Sequence, residues 1–147
     1  MGKRKDSDEY YVLDLCDQVL GSAASRQHRF QWLRGDYSLK RKSHSFLPVD
    51  EYWETLGLVV EYAERQHDES VKHFDKPEVM TVSGVHRGLQ RRIYDQRRVK
   101  LIPKNGLELV VIPSRSFPLK AGKIVRSPER DLAIVRSILN ERGFSRP

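Results

Sequence analysis

The stretch VVEYAERQH, Val59 to His67, sets two glutamates, an arginine, a glutamine and a histidine behind an apolar entry, and Asp50 stands eleven residues before Glu61. With the preceding SFLPVDEYW it reads as a β-hairpin whose loop is Glu54, Thr55, Leu56 and Gly57. If Trp53 lies opposite Leu58, paired residues have numbers adding to 111, and Asp50 falls opposite Glu61. Opposed side chains on neighbouring strands have Cβ atoms roughly 4.5–5.5 Å apart, so like charges there repel. A hard divalent cation, a neighbouring cationic side chain or simple exposure to solvent would each relieve that repulsion. Mg²⁺ suits the first case, because it accepts one or two carboxylates, keeps several waters and takes its other oxygens from phosphate. A metal between Asp50 and Glu61 would polarise a phosphodiester and activate water, so the reaction class is metal-assisted hydrolysis. Glycosidases also pair carboxylates, but a basic chain is a poor match for a neutral sugar. His67, whose ordinary pKa lies near neutrality, is a candidate for proton transfer or phosphate contact.

A second group of residues follows on a helix read over HRGLQRRIYDQRRVKLI and stopped by Pro103. Arg87, Arg91, Tyr94 and Arg98 recur at i, i+4, i+7 and i+11, which puts them on one face. Such a stripe can follow a phosphate backbone; the plainer alternative is a solvated face on which Asp95 pairs with Arg91 or Arg98. The basic run Lys40, Arg41, Lys42 reads as a solvated turn. Phe30 and Trp32 read as core aromatics on a strand. His28, His67, His73 and His86 are too scattered for a zinc pattern, and Cys16 is the only cysteine.

The elements that must position these residues come from the rest of the pattern. Ser7 or Asp8 caps a first helix ended by Gly21, and Arg29 to Arg34 alternates as a strand. The two hairpin strands follow. Residues 68–84 read as a long loop or lid, Asn105-Gly106 turns the chain into a buried strand LELVVI, and residues 113–126 read as loop. Ser127, Pro128 and Gly143 bracket a last helix. The order helix, three strands, helix, strand, helix is a mixed α/β core with helices covering a central sheet. At 147 residues this is one domain, with residues 1–7 expected to fray. The excess of 27 Lys+Arg over 20 Asp+Glu gives +7 and favours a polyanionic partner. No secretory leader or membrane-spanning run is expected, and the lone cysteine suits a reducing compartment, so the expected location is cytoplasmic.

Taken together, LPVDEYWETLGLVVEYAERQH and YDQRRVKLIPKNGLELVVI resemble the PD-(D/E)XK nuclease superfamily, in the branch of the very-short-patch-repair endonucleases. The features that carry the resemblance are Asp50, Glu61, His67, Asp95 with Arg97, Gly106, and the strand Leu107 to Ile112. The resemblance implies a restriction-endonuclease-like core with a central mixed sheet of about four strands flanked by helices. It implies a Mg²⁺-dependent endodeoxyribonuclease, with Mn²⁺ as a possible substitute, acting on DNA in repair or in defence against foreign DNA. Asp50 and Glu61 would be the metal ligands.

The chain departs from the motif at its lysine. Counting from Glu61 that position is Ala63, and counting from Glu64 it is Gln66. Glu64 or Gln66 would then complete the site, with His28, Arg29 or Arg91 as sources of a relocated positive charge. The same departure supports an alternative, a non-catalytic module that keeps the nuclease fold and binds nucleic acid or a protein partner. A third reading makes the chain a subunit that is active only with a helicase or methyltransferase partner.

Overall fold

The computed structural model describes residues 7–64 and 87–145, and the expected lid at 68–84 together with Gln66 and His67 lies outside them. Helix α1 (Asp8–Leu20) starts at the expected cap, where the Ser7 hydroxyl accepts the Tyr10 N–H at 3.4 Å. It ends at Gly21, whose left-handed φ of 77° lets its N–H turn back to the Asp17 carbonyl. Strands β1 (Ser25–Ser38), β2 (Ser43–Trp53) and β3 (Leu58–Ala63) follow, the last two joined by a 3-10 turn at Glu54–Leu56. Next come α2 (Arg87–Lys104), β4 (Glu108–Pro113) and a 3-10 turn at Ser114–Ser116. The short strands β5 (Leu119–Lys120) and β6 (Lys123–Ile124) and helix α3 (Pro128–Glu141) complete the order.

The main sheet has the order β1-β2-β3-β4, antiparallel except for the parallel pair β3 and β4. A parallel pair needs a long crossover, and α2 lies within it. The molecule is thus an α/β protein with a central mixed four-stranded sheet flanked by three helices, as the element order predicts. Side chains alternate across β3. Leu58, Val60 and Tyr62 join the core made with α1 and α3, while Val59 joins Leu33, Leu47, Val49 and Ile102 on the α2 side. No helix among the described residues is long and apolar enough to cross a membrane.

The structure differs from the sequence expectation in three places. Strand β1 is much longer than Arg29 to Arg34, because its ladder with β2 resumes beyond two register shifts and continues to Tyr37↔His44 and Ser38↔Ser43. Only Leu39 to Lys42 remain as loop in the basic segment. Pro103 does not stop α2 but sits in its last turn, where the Asn105 N–H still reaches the Leu101 carbonyl at 3.1 Å. The segment read as loop at 113–126 contains a 3-10 turn and the small β5–β6 hairpin.

Helix α2 crosses β1 at Gly35, where a Cβ would come within 2.9 Å of Ser45 Oγ and 3.0 Å of Tyr94 Oη. Gly35→Val is therefore expected to lower stability by roughly 1–3 kcal/mol through overpacking. Thermal unfolding measures it; an unchanged midpoint would mean that α2 does not pass so close.

Candidate active site

The β2–β3 ladder has the register expected of the hairpin: Glu51↔Val60, Tyr52↔Val59 and Trp53↔Leu58 each add to 111. The next pair is Asp50 and Glu61, and there the ladder changes character. The Asp50 N–H donates to Glu61 Oε2 at 2.5 Å, and the Tyr62 N–H donates to Asp50 Oδ2 at 2.7 Å. Two amides are satisfied by acid side chains from the opposite strand. Each carboxylate thus has one oxygen engaged with the backbone.

Both acids face a cleft of about 370 Å³ bounded by the end of the sheet, α1 and α2. Glu64 and Ala63 line it from β3 and its end, Arg91, Asp95 and Arg98 from α2, and Glu9 from the first turn of α1. Glu9 has no counterpart in the sequence reading. An acid in the first turn of a helix is already explained by the helix dipole, so nothing local marks it as anything more. Its link to the site is Gln27, whose side-chain amide donates to Glu9 Oε2 at 3.2 Å and also hydrogen-bonds Asp50.

Electrostatics bind these groups together. Burial pushes the Glu61 carboxyl up to about 8, and the Asp50 charge adds to the shift; the Asp50 N–H and Arg98 only partly offset it. The Asp50 carboxyl is raised as well, chiefly by burial, against the opposing pull of the Tyr62 N–H and Arg98. Glu9 is pushed up to about 7, first by burial and then by Asp50 and Glu64. Among the described residues, the cleft therefore holds more carboxylates than its cations balance.

Among the described residues, Arg98 is the cation nearest Glu61. Its Nε lies 3.6 Å from Glu61 Oε1, too long for a hydrogen bond, and donates instead to the Pro48 carbonyl at 3.1 Å, while Nη1 holds Asp95 at 2.9 Å. The Arg98–Asp95 pair is one of the two pairings considered from sequence. Arg98 is thus turned inward, its side chain 16% exposed, toward Glu61.

Of the other expected nucleic-acid contacts, Arg91 lines the cleft, whereas Tyr94 accepts the Asp36 N–H at 2.9 Å and packs against β1. Arg87 begins α2. His28 packs edge-on against Phe30 and at a tilt against Tyr52, at ring separations of 4.6 and 4.8 Å on β1 and β2, and Arg29 is exposed beside it. Neither His28 nor Arg29 lines the cleft. Arg97, placed by the resemblance beside Asp95, fastens α2 to β1 through Asp36 at 2.9 Å and the Arg34 carbonyl at 2.8 Å.

Among the described residues no group of three or more His, Cys, Asp or Glu side chains is arranged to hold a metal ion. The donor set that Asp50 and Glu61 offer is two oxygen ligands, which fits an ion that completes its shell with water and phosphate. Comparisons with family models, curated proteins and solved structures find no match for the chain.

Proposed function

We propose that the chain is a metal-dependent endonuclease that hydrolyses phosphodiester bonds in DNA, with Asp50 and Glu61 as the ligands of Mg²⁺ or Mn²⁺. The observation that carries this reading is a pair of half-buried acids side by side, both raised in pKa first by burial, with Asp50 adding to the shift of Glu61, facing a cleft that also presents Arg91 and Arg98. A bound divalent ion would balance that charge, polarise the phosphoryl group and lower the pKa of an attacking water. Asp50 and Glu61 hold their positions through the Tyr62 and Asp50 amides. Arg91 and Arg98 favour the phosphate and the charge that develops on its oxygens. A guanidinium stays protonated, so these arginines act as electrostatic partners and not as proton carriers. Glu64 at the cleft edge is the nearby group able to accept a proton from water, and Gln66 and His67 follow it in the chain.

Supercoiled plasmid incubated with the protein tests this directly. Nicking is expected with Mg²⁺ or Mn²⁺, none with EDTA, and none for Asp50→Ala with Glu61→Ala. Cutting that survives the double substitution would remove the assigned site.

A second reading is favoured by Ala63, which lines the cleft where the motif would place its lysine. The chain would then be a binding module for nucleic acid or a protein partner that retains the fold without catalysis. It predicts salt-sensitive DNA binding without cleavage, and metal-stimulated cutting excludes it.

A further inference from the structure

We propose that the β1–β2 hairpin is a DNA-binding arm whose basic loop enters a groove of duplex DNA away from the cleft. This deepens the nuclease reading and rests on its substrate being DNA, but it does not depend on cleavage.

The first argument is where the charge lies. Residues 28–48 carry five Lys+Arg against one Asp, and residues 87–104 carry seven against one, so these two segments hold a net +10 in a chain whose total is +7. The rest of the molecule is net acidic. The basic surplus therefore belongs to the hairpin and the helix that crosses it, and it is not a general property of the surface. On α2, Arg98 is turned inward and Arg97 is engaged with β1, while Arg92, Lys100 and Lys104 are exposed. On the hairpin, Arg29, Arg34, Lys40, Arg41 and Lys42 are all exposed, and the single acid, Asp36, is paired with Arg97.

The second argument is shape. Beyond the crossing at Gly35 the hairpin continues as a two-stranded ribbon through Tyr37↔His44 and Ser38↔Ser43, closed by a four-residue loop. The major groove of B-DNA is wide enough to admit a two-stranded β-ribbon. The loop is also built to hold its form. The Arg41 N–H donates to the Ser38 hydroxyl at 3.2 Å, Ser38 is buried, and the His44 ring bonds the Gly35 carbonyl at 2.8 Å.

The third argument is the apolar surface among the charges. Leu39 is 85% exposed at the loop, with Tyr37 and Phe46 exposed on the strands below it. Apolar side chains flanked by cations match a groove, where base edges and thymine methyl groups lie between rows of phosphate.

The test uses the full chain in EDTA, so that binding is read without cleavage. Fluorescence anisotropy follows a labelled 20-base-pair duplex, and separately one of its strands, across a range of KCl. The triple variant Lys40→Ala, Arg41→Ala, Lys42→Ala is expected to bind duplex at least about tenfold more weakly at low salt. Its slope of log affinity against log salt should be shallower by roughly 3, near one unit per lost phosphate contact. The melting temperature should not change, since the loop is exposed. Lys123→Ala, which removes an exposed cation on β6, is expected to keep duplex binding, which separates the arm from a general loss of surface charge.

If the wild type binds duplex and the triple variant binds it equally with the same slope, the arm is overturned while the nuclease reading stands. Equal losses for duplex and single strand overturn insertion into a groove. A wild type that binds phosphatidylserine vesicles and not duplex overturns both the arm and the DNA substrate.

Discussion

Glu61→Gln is expected to raise the melting temperature of the metal-free protein while lowering metal-dependent cleavage on the order of 10³-fold, the scale of losing one preorganised electrostatic group. The two effects have one origin. Glu61 is half-buried against Asp50, and both carboxyls are raised, so the folded state is strained by charge that the amide would remove. A glutamine keeps the oxygen that accepts the Asp50 N–H. The gain should be on the order of 1–2 kcal/mol near neutral pH, a shift of a few degrees.

The pH dependence gives the sign. Glu61 titrates from 4.5 in the unfolded chain to about 8 in the folded one, so the folded state binds more protons across that interval. Metal-free stability therefore falls as pH rises through this window, and the glutamine variant should lack the Glu61 part of that slope. Added Mn²⁺ should stabilise the wild type more at the upper end of the window, where the ligands are ionised, and should do little for the variant. Thermal melts with and without Mn²⁺ at several pH values measure all of this. A variant that melts lower than wild type in EDTA would show that the Glu61 charge is compensated and not a source of strain.

The largest stability effect is expected at Arg26→Ala. Arg26 reaches Asp14 at 3.0 Å and Asp17 at 2.8 Å on α1, and its Nε lies 2.9 Å from Glu51 Oε1 on β2. Glu51 is fully buried, and its other oxygen accepts the Ala24 N–H at 3.1 Å. Geometry alone reads as a salt bridge, yet the Glu51 carboxyl is pushed up to about 9, by burial first and by Asp17 next, with Arg26 opposing. The two observations meet in the orientation of the pair, because Oε1 receives no directed hydrogen bond despite the close approach.

Removing Arg26 leaves a buried acid without its cation, which costs about 3 kcal/mol where Glu51 is ionised, at the low end of the usual range because Glu51 can take up a proton. Since Glu51 is raised to about 9 even with Arg26 beside it, the Glu51 part of the loss should appear only as pH rises through about 9, and should vanish below it. Glu51→Gln in the Arg26→Ala background should recover most of the stability. Urea unfolding at pH values near 7 and 10, on either side of that titration, reads both effects. A loss independent of pH would mean that the broken contacts to α1, and not the stranded acid, cause it.

Much of this arrangement is legible in the chain because it is local. Ser7 and Gly21 set the ends of α1, and Gly57 permits the tight return that fixes the hairpin register, with φ of 60°. Register then places Glu61 beside Asp50. What is not legible depends on contacts between distant segments. The spacing of Arg91, Tyr94 and Arg98 correctly groups a helix face, but spacing alone cannot say which way that face turns. In the fold Arg91, Tyr94 and Arg98 face the sheet and the cleft, while Leu89 and Val99 of the same helix are 41% and 57% exposed. The apolar residues of α2 are split, with Ile102 buried against the sheet; ion pairs to Glu61 and Asp36 and hydrogen bonds to the Pro48 and Arg34 carbonyls hold the arginine face inward. Glu9 escapes notice because it enters from α1, dozens of residues from the hairpin. Glu51 escapes because it stands next to Asp50, and only alternation along β2 separates a cleft acid from a core acid.

The crossed pairing at the end of the β2–β3 ladder also bears on how freely the two acids move. Asp50 and Glu61 are each tethered at one carboxylate oxygen to an amide of the facing strand. Their side-chain rotations are restricted when the sheet forms, before any ligand arrives. A flexible acid loses rotamer freedom when it captures an ion, and that loss subtracts from affinity. Here the ordering entropy is lost during folding, so an ion arriving at this pair has little left to freeze.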